Sequence, residues 1–258
     1  MLPLFILNSI LIAISVLILV ICKKNIKTER GVNILFLVAA IISIIVHYSS
    51  LAYHHFSDNS AYEYLKGSPN LLFPLYPCNA VMWSCLIYGL LRNKSSKSVK
   101  ILEDYIFWFG IAASVIGMFA NEDFVNNPTL LNYDTTKSIV AHATLFFNVM
   151  LFAVFGKVNI NLPRNMKSIT IASALMYAIG LYCNLVIQVL RSEDFAYEVN
   201  AMFILHSPFA AVPFLRYPVL ILFVLLAYFI VFNVCELIAY EKGNRWFDKI
   251  KSKKQDAE

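Results

Sequence analysis

Long uninterrupted runs of apolar residues are the feature that most limits how this chain can fold. Of its 258 residues, 59% are hydrophobic and 14% are charged, whereas a soluble domain has roughly 25% charged residues. A run of about 17 to 25 apolar residues is long enough to cross a bilayer as a helix, which satisfies its own backbone polar groups. These runs exclude a water-soluble enzyme, a disordered tail and an outer-membrane barrel.

Seven such runs predict an all-α, polytopic membrane protein with a bundle of seven transmembrane helices. The predicted spans are residues 2–22, 32–53, 71–91, 105–120, 138–155, 169–190 and 218–240. The first run is expected to stay in the mature chain, because no Lys or Arg precedes it and no small-residue cleavage site follows it. Residues 1–258 are therefore predicted to form a single transmembrane domain, with a basic tail over residues 241–258.

The distribution of basic residues predicts the orientation of the bundle. Of the 21 Lys and Arg residues, 17 lie in the loops after spans one, three and five or in the tail. Since Lys and Arg collect on the cytoplasmic side of a membrane, we expect the N-terminus outside and the C-terminus in the cytoplasm. Because the net charge of +5 is spread along one membrane face, anionic lipid head groups are the expected partners, and nucleic acid is not.

Polar side chains inside the spans cluster toward the predicted outer side. Such residues are costly in lipid, so they usually mark a site or a helix contact. Four of them, on four different spans, lie roughly 6 to 10 Å below the outer end of their span; they are His47, Cys78, His142 and Asn184. Outer-side segments carry further residues that can reach the same level, namely His54, His55, Asn200 and His206. The outer third of the bundle is therefore the predicted site.

Span three has the most unusual local sequence. Pro74 and Pro77 each remove a backbone donor, so the helix is expected to kink or to start late. Broken membrane helices often border substrate sites. A cysteine becomes a nucleophile when a histidine stabilises its thiolate, and Cys78 and His142 match in depth. The competing interpretation is a packing kink with a core cysteine.

Other roles for the same polar residues also have to be considered. A disulfide between Cys78 and Cys183 is one of them. The histidines suggest a metal site, but His47 and His54 are seven residues apart, whereas zinc-binding helices typically use a spacing of four. We therefore expect neither a metal nor another cofactor. Amides such as Asn148 and Asn184 commonly bond between helices, and Glu236, near the inner end of span seven, is expected to pair with a basic residue such as Lys242.

Three sequence segments carry a resemblance to a known family. They are Leu-Tyr-Pro-Cys-Asn at residues 75–79, a later span that contains His142, and Asn-Ala-Met-Phe-Ile-Leu-His-Ser-Pro at residues 200–208. In these the chain resembles the YwaF family of bacterial integral membrane proteins, which is similar in turn to vertebrate transmembrane protein 164. The resemblance covers nearly the whole chain and implies a bacterial cytoplasmic membrane protein. It departs from the family's pattern at the proline before Cys78.

The resemblance implies a membrane acyltransferase in which Cys78 and His142 are the catalytic pair. In this prediction the thiol takes a fatty acyl chain from a phospholipid as a thioester and passes it to a lysophospholipid or to the amino terminus of a lipoprotein. Transfer to water would make the protein a hydrolase. The predicted substrate-binding or supporting residues are His47, Asn79, Asn184, Asn200 and His206.

Two functions without covalent chemistry remain as alternatives. Seven spans and a broken helix also suit a transporter or channel for a small molecule or lipid, and a scaffold or receptor would use the bundle for binding alone. A transporter is less favoured because the spans carry no central acidic residue and the polar cluster is displaced toward one leaflet.

Overall fold

The computed structural model describes residues 2–119, 129–189, 200–207, 212–214, 216 and 218–255. Its helices are α1 (Leu2–Asn25), α2 (Glu29–Ser57), α3 (Ala61–Gly67), α4 (Pro77–Leu90), α5 (Lys97–Phe119), α6 (Tyr133–Val154), α7 (Leu162–Val189), α8 (Val219–Ala239) and α9 (Trp246–Gln255). Two short 3-10 turns cover Pro69–Leu71 and Ala201–Phe203. The described residues contain no strand, so the predicted all-α class is confirmed.

Six of the described helices are long and apolar enough to cross a membrane. They are α1, α2, α5, α6, α7 and α8, and each contains most of one predicted span. The helices generally run past the apolar segments into the basic loops; α5, for example, begins at Lys97 instead of residue 105. The chain is thus a polytopic membrane protein, while the seventh span and the orientation stay predictions.

The third predicted span is a helix only over about its last two thirds. α4 has 14 residues, about 21 Å of helix, which is less than the roughly 30 Å hydrocarbon core of a bilayer. It begins at Pro77 because proline cannot donate to a preceding turn but suits the first position of a helix. The expected late start is confirmed, and residues 72–76 connect the first 3-10 turn to α4 without regular structure.

The centre of the bundle is built from α2, α4, α5 and α6. Helix α2 packs on α4 and α6, α5 packs on α4, α6 and α7, and α8 packs on α7. The rings of Phe36, Tyr88 and Phe152 form a buried cluster with centroid distances of 4.7 to 5.1 Å. Exposed large apolar side chains are concentrated on α1 and α8, so these two helices form much of the lipid-facing surface.

Polar contacts join the helices at both ends of the bundle. At the basic end, the Arg164 guanidinium donates two hydrogen bonds of 2.9 Å to the Asp104 carboxylate, linking α7 to α5. At the opposite end, His54 of α2 lies 3.0 Å from Asp134 of α6. The Arg164–Asp104 contact joins the starts of two parallel helices, α7 and α5, and the His54–Asp134 contact joins the end of α2 to the start of the antiparallel α6.

Glu236 is a buried carboxylate that joins two helix starts. It accepts a hydrogen bond of 2.7 Å from the backbone N–H of Leu162, at the start of α7, and one of 2.8 Å from that of Trp246, at the start of α9. The pairing with Lys242 expected from the sequence is wrong: the carboxylate is 2% exposed and is occupied by backbone donors. A negative group at two helix N-termini also suits their dipoles.

Candidate active site

Cys78 occupies the first turn of α4, where the backbone has amides without intrahelical acceptors. Tyr76 precedes the helix in an extended conformation and Pro77 is its first residue. The backbone amides of Cys78 and Asn79 lie beside the Cys78 sulfur and favour its charged form. Amides at a helix N-terminus stabilise a thiolate and are also the donors that stabilise an oxyanion. Because apolar core side chains pack against Cys78, its ionisation depends on these donors and on a base.

An apolar cavity of about 80 Å³ lies beside the start of α4. Its wall comes from α4, α5, α7, α8 and the second 3-10 turn, and it includes Pro77, Tyr177, Met202 and Phe203. Helix α8 contributes Leu220, Ile221 and Val224, and the intervening Leu222 is 66% exposed on the lipid side. The cavity therefore borders the bilayer, and its lining suits a hydrocarbon chain better than a charged solute.

His142 is held in one tautomer by its own helix. Its Nδ1 lies 2.8 Å from the carbonyl oxygen of Ser138. Since a carbonyl only accepts hydrogen bonds, Nδ1 carries the hydrogen and Nε2 is the acceptor nitrogen that a general base needs.

The imidazole of His142 packs against Gly117 of α5. A β-carbon at Gly117 would overlap ring atoms Cδ2 and Nε2, so the ring can take this position only beside a glycine. The sequence analysis missed Gly117. The available signal was its spacing of seven from Gly110, which places two glycines on one face of a membrane helix, as in close helix contacts.

Cys78 and His142 lie at different heights in the bundle. Val81 of α4 and Val149 of α6 both contact Gly110 of α5, and this contact defines a common level. With a rise of 1.5 Å per residue, Cys78 lies about 4.5 Å and His142 about 10.5 Å outward of that level, an offset of roughly 6 Å. The polar groups that act on the thiol are backbone amides, and His142 is not among them. Direct pairing of these two residues stays a prediction.

His47 of α2 lies near His142 and is 7% exposed. Its ring lies beside the Asn70 backbone, and Lys137 and His142 are close enough to act on it electrostatically. Its Nε2 has no hydrogen-bond partner among the described residues. A buried polar atom without a partner calls for a specific explanation, and one explanation is a ligand group that completes the site.

Asn184 and Asn200 both bond to the segment around the second 3-10 turn. Asn184 accepts a hydrogen bond of 2.9 Å from the Ala201 N–H and donates one of 3.4 Å to the Ala201 carbonyl. Asn200 accepts from the backbone N–H groups of Leu205 and His206 at 2.9 and 3.1 Å. The observed role of both amides is to hold this turn, and the exposed His206 is placed through its backbone.

The turn covers the start of α4 in a strained conformation. The Met202 N–H donates a hydrogen bond of 2.7 Å to the Leu75 carbonyl, and the Phe203 ring lies 5.6 Å from that of Tyr76. Met202 and Phe203 have φ values of 52° and 55°, which are costly for residues with side chains. Strain of this kind is often found at ligand clamps and active sites. Residues 200–207 thus fold back onto the bundle, while residues 190–199 and 208–211 lie outside the described residues.

The structure also describes several other residues that the sequence analysis named. Cys78 and Cys183 are both free thiols, so the disulfide between them is not formed. Within the described part of the chain, no group of three or more His, Cys, Asp or Glu side chains is placed to hold a metal ion. Asn148 donates to the Ala39 carbonyl and to Ser43, which makes it a helix contact. Asn79 is buried, and its Oδ1 has no hydrogen-bond partner among the described residues.

Comparison with known proteins identifies the family. No curated protein matches the chain significantly. No solved structure does so either. Residues 2–235, which include all six described candidate spans except the last turn of α8, match the TMEM164 family. This match extends the resemblance carried by the segments around Cys78, His142 and Asn200 to nearly the full length, and the chain therefore belongs to the TMEM164 family.

Proposed function

We propose that this protein is a membrane-embedded acyltransferase that carries a fatty acyl chain on Cys78. One observation carries the proposal: the Cys78 thiol lies beside the backbone amides of a helix start and next to an apolar cavity that borders the bilayer. A nucleophile, oxyanion donors and space for a hydrocarbon chain are the parts that acyl transfer requires. Membership of the TMEM164 family is compatible with this chemistry.

The first half-reaction cleaves a phospholipid ester. The Cys78 proton passes to Nε2 of His142, the thiolate attacks the ester carbonyl, and the amides of Cys78 and Asn79 stabilise the oxyanion. The carbon–oxygen bond to the glycerol then breaks, and the imidazolium returns the proton to the departing alkoxide. The products are a thioester on Cys78 and a free lysophospholipid.

The second half-reaction reverses these roles. His142 takes a proton from the acceptor, whose hydroxyl or amine attacks the thioester, and the departing thiolate recovers that proton. A lysophospholipid hydroxyl gives an exchanged phospholipid, a lipoprotein amino terminus gives an amide, and water gives a free fatty acid. The apolar border of the cavity favours an acceptor that is itself held in the membrane.

Proton transfer requires the imidazole to come within hydrogen-bond reach of the sulfur, about 3 Å, directly or through one water. The axial offset of roughly 6 Å must therefore close when lipid binds. His47 is the competing base, because its buried Nε2 has no hydrogen-bond partner among the described residues. Lys137 and His47 also supply polar groups for the phosphate of the donor.

Intact-mass spectrometry of the purified protein with mixed phospholipids tests the proposal. The wild type should gain the mass of a fatty acyl group that hydroxylamine removes, with release of lysolipid. Cys78→Ser should lack the hydroxylamine-sensitive adduct, whereas Cys85→Ser, a buried cysteine two turns along the same helix, should keep it. His142→Ala should slow its formation more than His47→Ala does. An unmodified wild type that leaves the lipids unchanged would overturn the proposal and favour transport or binding.

A further inference from the structure

An open cavity of about 440 Å³ lies between α2 and α4 at the basic end of the bundle, far from Cys78. Arg30 and Arg92 line it from the two helix ends. Neither guanidinium makes a hydrogen bond or ion pair with the part of the chain that the structure describes. Arg164, at the same end of the bundle, is by contrast fully engaged by Asp104. The cavity therefore presents two positive groups that the protein itself leaves unmatched.

The cavity lining also contains one acidic residue. Glu29 lies in the wall with Arg30 and Arg92, so two guanidinium groups and one carboxylate leave one net positive charge. Lys94, which is 9% exposed, donates a hydrogen bond of 2.7 Å to Asn33 of the cavity wall and lies 4.4 Å from the centre of the Tyr88 ring. Burial and the nearby Lys157 lower the pKa of Lys94, and Glu103 and Glu29 act against this change. The charge balance of the cavity therefore favours an anion.

The cavity continues into an apolar groove on the lipid side. Its wall includes Ile34, Leu37 and Gly89. The helices are in close contact here, because a β-carbon at Gly89 would lie 2.9 Å from the Leu37 Cα. Ile34 is 52% exposed and Leu90, next to Gly89, is 63% exposed. In a membrane these side chains face hydrocarbon, so the groove leads from the two guanidinium groups into the bilayer.

We propose that this cavity binds an anionic glycerophospholipid of the leaflet on the basic, predicted cytoplasmic side. The phosphodiester lies between Arg30 and Arg92, and one acyl chain follows Ile34, Leu37 and Gly89. Guanidinium groups match phosphate in charge and geometry, and basic pockets between membrane helices suit anionic head groups. The site is independent of Cys78, so it stands whether or not the protein transfers acyl chains.

Native mass spectrometry of the full chain in detergent tests the site, with phosphatidylglycerol and phosphatidylcholine of equal chain length as probes. The wild type should retain phosphatidylglycerol in preference to phosphatidylcholine. The double variant Arg30→Gln/Arg92→Gln should bind phosphatidylglycerol roughly tenfold more weakly or worse. The matched control Lys24→Gln/Lys97→Gln removes the same charge from exposed positions outside the cavity and should bind as the wild type does.

Three results would overturn the proposal. A wild type without preference for phosphatidylglycerol would show that the cavity does not select anionic lipid, and this arm needs no variant to fold. Equal weakening in both double variants would show general attraction to the basic face. Equal competition by glycerophosphoglycerol, which has the head group without acyl chains, would assign the site to a soluble phosphodiester instead of a lipid.

Discussion

At the scale of single residues, the candidate site depends on small backbone features as much as on reactive side chains. Cys78 is set apart from Cys85 by its position: both are on α4, but only Cys78 lies in the first turn, where backbone amides lie beside its sulfur. His142 is likewise placed by the Ser138 carbonyl and by the missing side chain of Gly117. Substitutions that leave the reactive groups intact should therefore still affect the chemistry.

Gly117→Ala is expected to impair acyl transfer by moving the His142 ring. The new methyl group would overlap Cδ2 and Nε2 of the imidazole, and a displacement of about 1 Å at a catalytic group can lower a rate by roughly 10²-fold. Gly110→Ala is the matched control on the same helix face, since its methyl group meets Val149 and Val81 in the core. The measurement is the rate of thioester formation, alongside the thermal midpoint.

Both glycine variants should have a lower thermal midpoint. Only Gly117→Ala should also form the thioester more slowly than its folded fraction explains. A wild-type rate in Gly117→Ala would show that the observed position of His142 does not matter for the reaction.

At the scale of helices and turns, Glu236 joins elements that are distant in sequence. Its replacement by alanine would leave the N–H groups of Leu162 and Trp246 without their acceptor. A buried donor without a partner costs about 1 to 3 kcal/mol, so Glu236→Ala should lower the free energy of unfolding by at least this amount. Glu236→Gln keeps one acceptor oxygen and should lie between alanine and the wild type.

Thermal unfolding in detergent measures the effect of these Glu236 variants, and tryptic cleavage at Lys249 reports whether α9 has come loose. Equal midpoints for the alanine variant and the wild type would mean that the carboxylate does not hold the two helices together.

The second 3-10 turn gives a further prediction at this scale. Asn184→Ala removes both side-chain bonds to Ala201, and the left-handed conformations of Met202 and Phe203 would then lose their support. Hydrogen exchange of the Ala201 and Met202 amides should accelerate, and thioester formation on Cys78 should slow. Asn148→Ala removes bonds between α2 and α6 instead and should leave exchange in the turn unchanged. The same exchange rate in both variants would contradict the assigned role of Asn184.

The elements show which parts of the fold the sequence could predict. Long apolar runs can be recognised from the sequence alone, so six helices were predicted at their observed positions. The prolines before Cys78 predicted a kink or a late start, and α4 starts late. The strained turn at Met202 and the partner of Glu236 depend on contacts between distant segments, for which a single sequence carries no local pattern. The predicted depths of His47 and His142 in their spans placed both residues in one region. They gave no indication that Gly117 determines the position of the His142 ring.

At the scale of the whole molecule, the bundle has two chemically different ends. One end gathers unmatched arginines and buried ion pairs, and the other gathers histidines, Cys78 and a strained turn. A lipid acyl donor would enter from the second end, while the first end is suited to anionic head groups. The assignment of the two ends to membrane faces depends on α4. If this helix of 14 residues crosses the bilayer, the bundle has seven crossings. If it does not, the bundle has six.

The distribution of basic residues predicts that α4 does cross. The test starts from a chain whose five native cysteines are replaced. Single cysteines are then introduced on either side of α4, as Glu63→Cys in α3 and as Lys97→Cys at the start of α5. If α4 with its irregular entry at residues 72–76 spans the bilayer, a membrane-impermeant maleimide should label Glu63→Cys in intact cells and Lys97→Cys only after permeabilisation. Asp248→Cys, in α9, should behave like Lys97→Cys, because both lie on the predicted cytoplasmic side. Equal labelling of Glu63→Cys and Lys97→Cys in intact cells would mean that α4 enters and leaves by the same face, and that the positive loops do not share one side.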